Sequence, residues 1–441
     1  MEDGKQLWSI WQRLLACFTG VFTRPGWVRF AQWLSGMVLC PEEHTITQEV
    51  TSLGMTEQWR NFEHFAEYGA FNQRAVEQAT MNIIEREHPC RFGRYHPAAV
   101  DDTKELRASP HVWGTCTFKH VSSRNPKHPK LVMAHNWVIM GDLAPGGKDQ
   151  PWTYLPTASR LYLRAAQLPP GEMFRTKNDM AVEMLRQSNA SSAAPVLGIF
   201  DGGYARANVV QPCLHDTSRR IEVLTRPRSD ARLYQPLPSQ QTTRGKPKRG
   251  RPRKWGQRLP APRDCRRWKG VWRKGRAYAY GQPRRFRYKV MDCRWSVSGP
   301  DMPVRIFAFK VEGYQETWCI ITSALDLSAA QVLEAYAARF RQEDAIRDHK
   351  QRLGMEEVRA WTKAPVLRTF QVQLLSMTLL RLMQWELDKC WGNGWCSPPP
   401  WNPHKTRVSI LDLRRLLWKH REEYSQFLQE MDEVKKPKPA A

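Results

Sequence analysis

Between residues 241 and 290 the chain carries 19 lysines and arginines against one aspartate, which places 18 of its 25 formal net positive charges in that stretch. The interval from Thr225 to Val304 that contains it is too long and too basic to be a simple loop, and it reads as an insertion that interrupts the sheet before the chain returns to the core. Trp255, Trp268, Trp272, Tyr278 and Tyr280 are interleaved with the cations. That mixture suits backbone neutralisation combined with base stacking, whereas a solvated run is the plainer account of charge alone. The net charge points to a polyanionic partner, most commonly nucleic acid.

At 441 residues the chain is long enough for two or three domains and a sizeable core. Its ten cysteines form no C-x-x-C pair, so neither a zinc cluster nor a disulfide framework is indicated, and a reducing cytoplasm is expected. Leu7–Phe22 is broken by Gln12 and Arg13 and lacks a cleavage pattern, so it does not read as a targeting segment. Val366–Trp385 includes Arg368, Gln371, Gln373 and Arg381, too polar for a membrane span and better suited to a buried helix. The absence of G-x-x-x-x-G-K-[ST] argues against an ATP-driven motor. A soluble protein with no membrane partner is expected.

Residues 1–93 read as a helical domain. Phe30–Leu39 repeats apolar residues at helical spacing, Thr45 and Thr47 can cap a short helix ending near Leu53 and Gly54, and Thr56–Tyr68 begins another. This outline fits a helix-turn-helix or an ordinary helical bundle. From Arg94 the texture changes to strands. Pro97–Val100 leads into Asp101, Asp102 and Thr103, followed by Val112–Val121 and Leu131–Met140. Thr176–Gln187 is an amphipathic helix, and Pro195–Phe200 is a buried strand delivering Asp201 at its carboxyl end. A helix near Ala205–Val210 and a strand at Ile221–Thr225 precede the insertion; strands at Arg287–Ser298, Val304–Val311 and Thr317–Thr322 follow it.

Ala335–Lys350 reads as a helix with Ser328 and Gln331 as a capping box and Gly354 as its stop. At about 100° per residue, Tyr336, Arg339, Glu343 and Lys350 share an arc of about 60°. A solvated, salt-bridged face would produce the same bare pattern. The spacing, with two, three and six intervening residues, resembles the Tyr-Arg-Glu-Lys signature of bacterial cut-and-paste insertion-sequence transposases, DDE enzymes of the RNase H-like superfamily. Strands, helix, buried strand, helix and strand also follow the order of an RNase H-like mixed sheet. This resemblance, over roughly residues 95–390, implies an α/β fold with helices flanking that sheet. It also implies that Asp101, in a D-x-[ST] setting, Asp201 and Glu343 converge on two Mg²⁺ or Mn²⁺ ions. Asp102 is the alternative to Asp101, since neighbouring strand residues face opposite ways. Hard cations take oxygen ligands, and two of them can activate a water or 3′-hydroxyl and stabilise a leaving oxygen.

The same resemblance implies DNA contacts from Arg339, Lys350 and Tyr336. Arg226 and Arg228 follow a core strand and are expected near the active edge. Arg249, Arg251 and Lys254 lie in a stretch containing R-G-R-P, which resembles the AT-hook core; a phosphate clamp is the alternative. Trp318, followed by Cys-Ile-Ile-Thr-Ser, resembles the Trp-x-x-x-Thr-Ser stretch of hairpin-forming transposases, whose tryptophan stacks on a flipped base; a buried sheet tryptophan is the alternative. The expected organisation is a helical DNA-binding domain (1–93), the first part of the catalytic core (94–227), a basic β-rich insertion (228–303), the second part of the core with the Glu helix (304–390), and a linker with a carboxyl-terminal helix for dimerisation (391–441). The expected activity is metal-dependent cut-and-paste transposition: cleavage at terminal inverted repeats and strand transfer into target DNA by 3′-hydroxyl attack, within a homodimeric complex. A catalytically inactive, transposase-derived DNA-binding protein and an RNase H-like nuclease are the alternatives.

Overall fold

Side-chain oxygens at helix starts set the boundaries of the amino-terminal layer in a computed structural model, which describes residues 2–119, 130–147, 149–237, 253–392, 395–396, 398–405 and 407–424. Helix α1 (Glu2–Ala16) is followed by α2 (Arg24–Leu39), α3 (Ile46–Ser52), α4 (Trp59–Tyr68) and α5 (Gln73–Glu87). Thr23, Thr45 and Asn72 accept from the backbone N–H of Gly26, Gln48 and Ala75, which satisfies donors left open at the starts of α2, α3 and α5. Gly36 lets α2 and α3 approach, since a Cβ there would lie 2.7 Å from the Glu49 carbonyl oxygen. Helix α4 carries Glu63 and Glu67 against Arg60. That acidic excess favours the bundle over a helix reaching into a major groove.

Strand β1 (His96–Leu106) is followed by β2 (Cys116–Lys119), β3 (Leu131–Ala144), β4 (Thr153–Leu161), α6 (Lys177–Ser191), β5 (Val196–Phe200), α7 (Ala207–Leu214) and β6 (Glu222–Thr225). β1 pairs antiparallel with β3 and parallel with β5, β3 pairs antiparallel with β4, and β5 pairs parallel with β6. This is the mixed sheet of an RNase H-like fold, with α6 and α7 on one face. Two features differ from the sequence expectation. The strand expected over Val112–Val121 is regular only at Cys116–Lys119, with residues 120–129 outside the described set. The strand that completes the antiparallel group is β4, which the pattern hides because its residues are nearly all buried and Pro156 sits at a bulge opposite Gly141.

The interval between Thr225 and Val304 supplies β7 (Leu233–Tyr234), β8 (Arg258–Leu259), β9 (Arg273–Ala279) and β10 (Gln282–Trp295), and the chain returns through β11 (Pro303–Val311) and β12 (Thr317–Thr322). β12 pairs with β6 and β11 with β10, so the strands form one sheet ordered β2-β3-β1-β5-β6-β12-β11-β10-β7-β8, with β4 on β3 and β9 on β10. The insertion is therefore an extension of the core sheet. Its second face is covered by α8 (Ala329–Ala338), which continues into α9 (Phe340–Arg352). Helix α10 (Lys363–Trp391) packs on β4, on α9 and on the amino-terminal helices, and α11 (Ile410–Lys419) closes the helical layer. Trp137 of β3 stacks on Phe370 of α10 with centroids 3.8 Å apart. Among the described residues no helix is long and apolar enough to cross a membrane.

The helical layer buries Glu49, whose Oε2 accepts the Trp33 indole N–H at 2.7 Å. Burial pushes its carboxyl up to about 8, opposed by the Trp33 bond and by Arg414. A raised carboxyl contributes stability that is present below its unfolded pKa and is lost as pH rises through about 8. Glu49→Gln is expected to melt close to the unsubstituted protein at pH 5 and above it at pH 9. Melting curves at the two pH values check this; equal differences at both would show that Glu49 is ionised within the layer throughout.

Candidate active site

The register of β1 against β5 pairs Val100 with Phe200, so the next residues, Asp101 within β1 and Asp201 just past the end of β5, stand at the same level. Alternation along β1 then separates the two neighbouring aspartates. Asp101 faces the side covered by α8 and α9, where its Oδ2 accepts from Arg339 Nη1 at 3.0 Å. Asp102 faces the α6 side, where it meets Lys177 Nζ at 2.8 Å and the Tyr204 hydroxyl at 3.2 Å. Asp201 is held by its own turn: Oδ1 accepts the Gly203 N–H at 2.8 Å, and its carbonyl accepts Thr225 Oγ1 at 3.0 Å.

The helix bearing Glu343 is not continuous. At Arg339 the bonds tighten to i→i+3, from Arg339 N to the Tyr336 carbonyl at 3.3 Å and from Gln342 N to the Arg339 carbonyl at 2.9 Å. The expected single helix is thus two, with Arg339 at their junction, where the backbone itself stays helical (φ −51°, ψ −33°). Nη1 contacts Asp101 and Nη2 reaches Glu343 Oε1 at 2.9 Å. The guanidinium is buried while Glu343 is largely open to solvent. Burial pushes the Asp101 carboxyl up to about 6; Arg339 opposes the rise, and Asp201 and Asp102 add to it. Tyr336 lies beside Arg339, Arg226 and Asp201, and burial raises its hydroxyl pKa.

Asp101, Asp201 and Glu343 present only oxygen donors, the set a hard divalent cation takes. Among the described residues no three acidic, His or Cys side chains stand close enough to share an ion. The place between Asp101 and Glu343 belongs instead to the Arg339 guanidinium. The carboxylates are therefore arranged around a positive charge, which fits a cation site in chemistry. Clefts of about 800 and 820 Å³ lie beside α3 and α4 and between α9 and α10, the latter lined by Arg341 and Asp344 but not by Glu343.

The remaining expected residues are placed unequally. Arg226 is exposed just beyond β6 and near Tyr336, whereas Arg228 is tied to Asp230 at 3.0 Å. Lys350 Nζ is held by the Lys104 carbonyl at 2.8 Å and by Glu356 at 2.7 Å. Lys254 is exposed, and Arg249 and Arg251 lie outside the described residues. Trp318 belongs to β12 of the core sheet and is half-buried, with Tyr314 and Tyr280 at centroid distances of 4.6 and 5.5 Å. Tyr280 and Phe340 were not foreseen at this site. Tyr280 is in the left-handed region (φ 52°), followed by Gly281 (φ 87°), as a two-residue hairpin requires. Its ring lies 5.5 Å from that of Phe340. The Tyr-Gly pair between two basic strands was the available signal.

A family model described as DDE superfamily endonuclease matches residues 13–288. The match covers Asp101 and Asp201 and ends before Glu343; it begins within the helical layer, well ahead of the region the transposase resemblance covers. No curated protein matches the chain.

Because Arg339 and a divalent cation would compete for the same oxygens, Arg339→Gln is expected to bind Mg²⁺ more tightly. A tenfold gain is worth about 1.4 kcal/mol of added stability at saturating ion. Thermal melting with and without Mg²⁺ reads it. An equal Mg²⁺-dependent shift in both proteins would show that the guanidinium does not stand in the ion's place.

Proposed function

The chain belongs to the DDE superfamily endonucleases, a family of transposase- and nuclease-type enzymes acting on DNA, and from that membership we propose that it is the transposase of a bacterial insertion sequence. The observation that carries the proposal is the placement of Asp101 and Asp201 one residue beyond the Val100–Phe200 pair of the parallel strands β1 and β5, with Glu343 joined to Asp101 through Arg339. The reaction is metal-dependent cut-and-paste transposition. Water attacks phosphorus at an element end and the 3′ oxygen leaves as a hydroxyl; that hydroxyl then attacks a phosphodiester of target DNA and displaces its 3′ oxygen. Asp101, Asp201 and Glu343 would hold the divalent cations, Mg²⁺ or Mn²⁺. When bound, two such ions activate the attacking oxygen and stabilise the leaving one.

The other side chains position DNA. Arg339, once released from Asp101 and Glu343, can hold a phosphate beside them, and Tyr336 orients the strand from the preceding turn. Arg226 projects from the carboxyl end of β6, on the same edge of the sheet as Asp201. Arg228 and Lys350 would exchange Asp230 and Glu356 for phosphates. Trp318, with Tyr280 and Tyr314 around it, offers a stacking surface for a displaced base. Arg249, Arg251 and Lys254 would track the backbone or minor groove, and a homodimer would bring two ends together.

Asp101→Asn, Asp201→Asn and Glu343→Gln are each expected to abolish Mg²⁺-dependent cleavage while retaining end binding, because affinity comes mainly from basic groups. Asp102→Asn is expected to keep cleavage, since its carboxylate is turned towards Lys177 and Tyr204. Cleavage of labelled duplexes and gel-shift binding provide the readouts. A rate within about tenfold of the unsubstituted protein, a barrier change of only ~1.4 kcal/mol, removes that carboxylate from the site. Cleavage indifferent to element ends would favour a general nuclease.

A further inference from the structure

The register of the insertion strands sets cations directly abreast. Lys274 of β9 pairs with Arg287 of β10, which pairs with Lys310 of β11, and Arg276 pairs with Arg285 one step along. Residues directly opposite, and residues two apart, point to the same side of a sheet. All five therefore stand on one face. The alternate residues, including Ala277, Phe286 and Phe309, face α8 and form core. Tyr278 shares the basic face, as its pairing with Pro283 requires.

Like charges directly opposite one another are destabilising, and little on this face offsets them. Lys274, Arg276, Arg285 and Arg287 are exposed. Arg276 has Asp149 at 3.7 Å, and Glu312 bonds the Arg285 backbone N–H at 3.4 Å. Lys310 rests over the Trp272 ring at 4.8 Å. Among the described residues Lys274, Arg285, Arg287 and Lys310 have no ion-pair partner. The row Lys274–Arg287–Lys310 spans three strands, roughly 10 Å. A fold that holds such a row open is complementary to a second, regularly charged polymer.

We infer that this face of β9, β10 and β11 is a docking surface for the sugar-phosphate backbone of duplex DNA flanking the cleaved position. The inference rests on DNA as substrate and adds where the flank lies. The hairpin tip places Tyr280 against Phe340, next to Arg339 and the carboxylates. From that tip to Lys274 and Arg287 is six residues, roughly 20 Å of strand. A duplex running along the hairpin meets the cationic row roughly six base pairs from the site, at 3.4 Å per pair.

The test uses the full chain in EDTA with duplexes of random sequence, so that no cleavage enters the measurement. The variant combining Lys274→Gln, Arg285→Gln, Arg287→Gln and Lys310→Gln should bind a duplex of about thirty base pairs with a log–log salt slope shallower by up to ~3.6, at ~0.9 per lost contact. Its melting temperature should equal or exceed that of the unsubstituted protein, because like-charge repulsion is relieved. An unchanged slope overturns the inference. Should the fourfold variant melt low, Arg287→Gln alone decides: a slope reduced by ~0.9 supports the surface and no change overturns it. Cleavage in Mg²⁺ is scored separately. A shallower slope without wild-type cleavage keeps this surface and sinks the catalytic reading; cleavage with an unchanged slope does the reverse.

Discussion

Parallel pairing of β1 with β5 is the constraint on which the rest of the molecule depends. It places two carboxyl-bearing residues at the same height, Asp101 within β1 and Asp201 just past the end of β5, and β6 extends the arrangement so that Thr225 can brace the Asp201 carbonyl. Parallel strands need covered faces. Helices α6 and α7 bury one face through Met184, Leu185 and Val209, and α8 buries the other through Val332, Leu333 and Ala335. That second cover is also what carries Glu343 to the strand ends.

Burial works against the charge on Asp101, and Arg339 supplies the positive charge that opposes it. The guanidinium is drawn to both Asp101 and Glu343, and the helix breaks into two at that point. A negatively charged centre would repel a DNA backbone by itself. The surrounding charge has the opposite sign, with Arg226 at the edge of the site and the basic strands beyond it. Charge balance is thus achieved across the molecule, between an acidic point and a basic field.

The helical layer is joined to this framework through α10. Arg368 donates to the carbonyls of Phe65 and Ala66, Gln371 donates to that of Gln73, and Trp137 stacks on Phe370. From α11, Arg414 donates to the Val38 carbonyl at 2.9 Å. Because α10 also packs against α9, the orientation of the Glu343 helix is coupled to the packing of the amino-terminal helices.

Much of this was legible in the residues. The apolar run ending at Asp201, the capped helix through Glu343 and the excess charge of the insertion are local patterns, and local patterns follow from periodicity and capping chemistry. They were sufficient for the mixed α/β sheet and for the basic insertion. Strand β4 escaped because a fully buried strand has no alternation to read. Which aspartate faces Glu343 was open, since alternation says that Asp101 and Asp102 diverge but not which side the covering helix takes. The cross-strand row of cations was invisible too, because residues 274, 287 and 310 become neighbours only through register. The sequence by itself determined most of the elements, the charge and the candidate carboxylates; the tertiary structure alone decided their partners, because strand register and the Arg339–Asp101 contact join residues far apart in the chain, from 13 positions across the β9–β10 hairpin to 238 between Asp101 and Arg339.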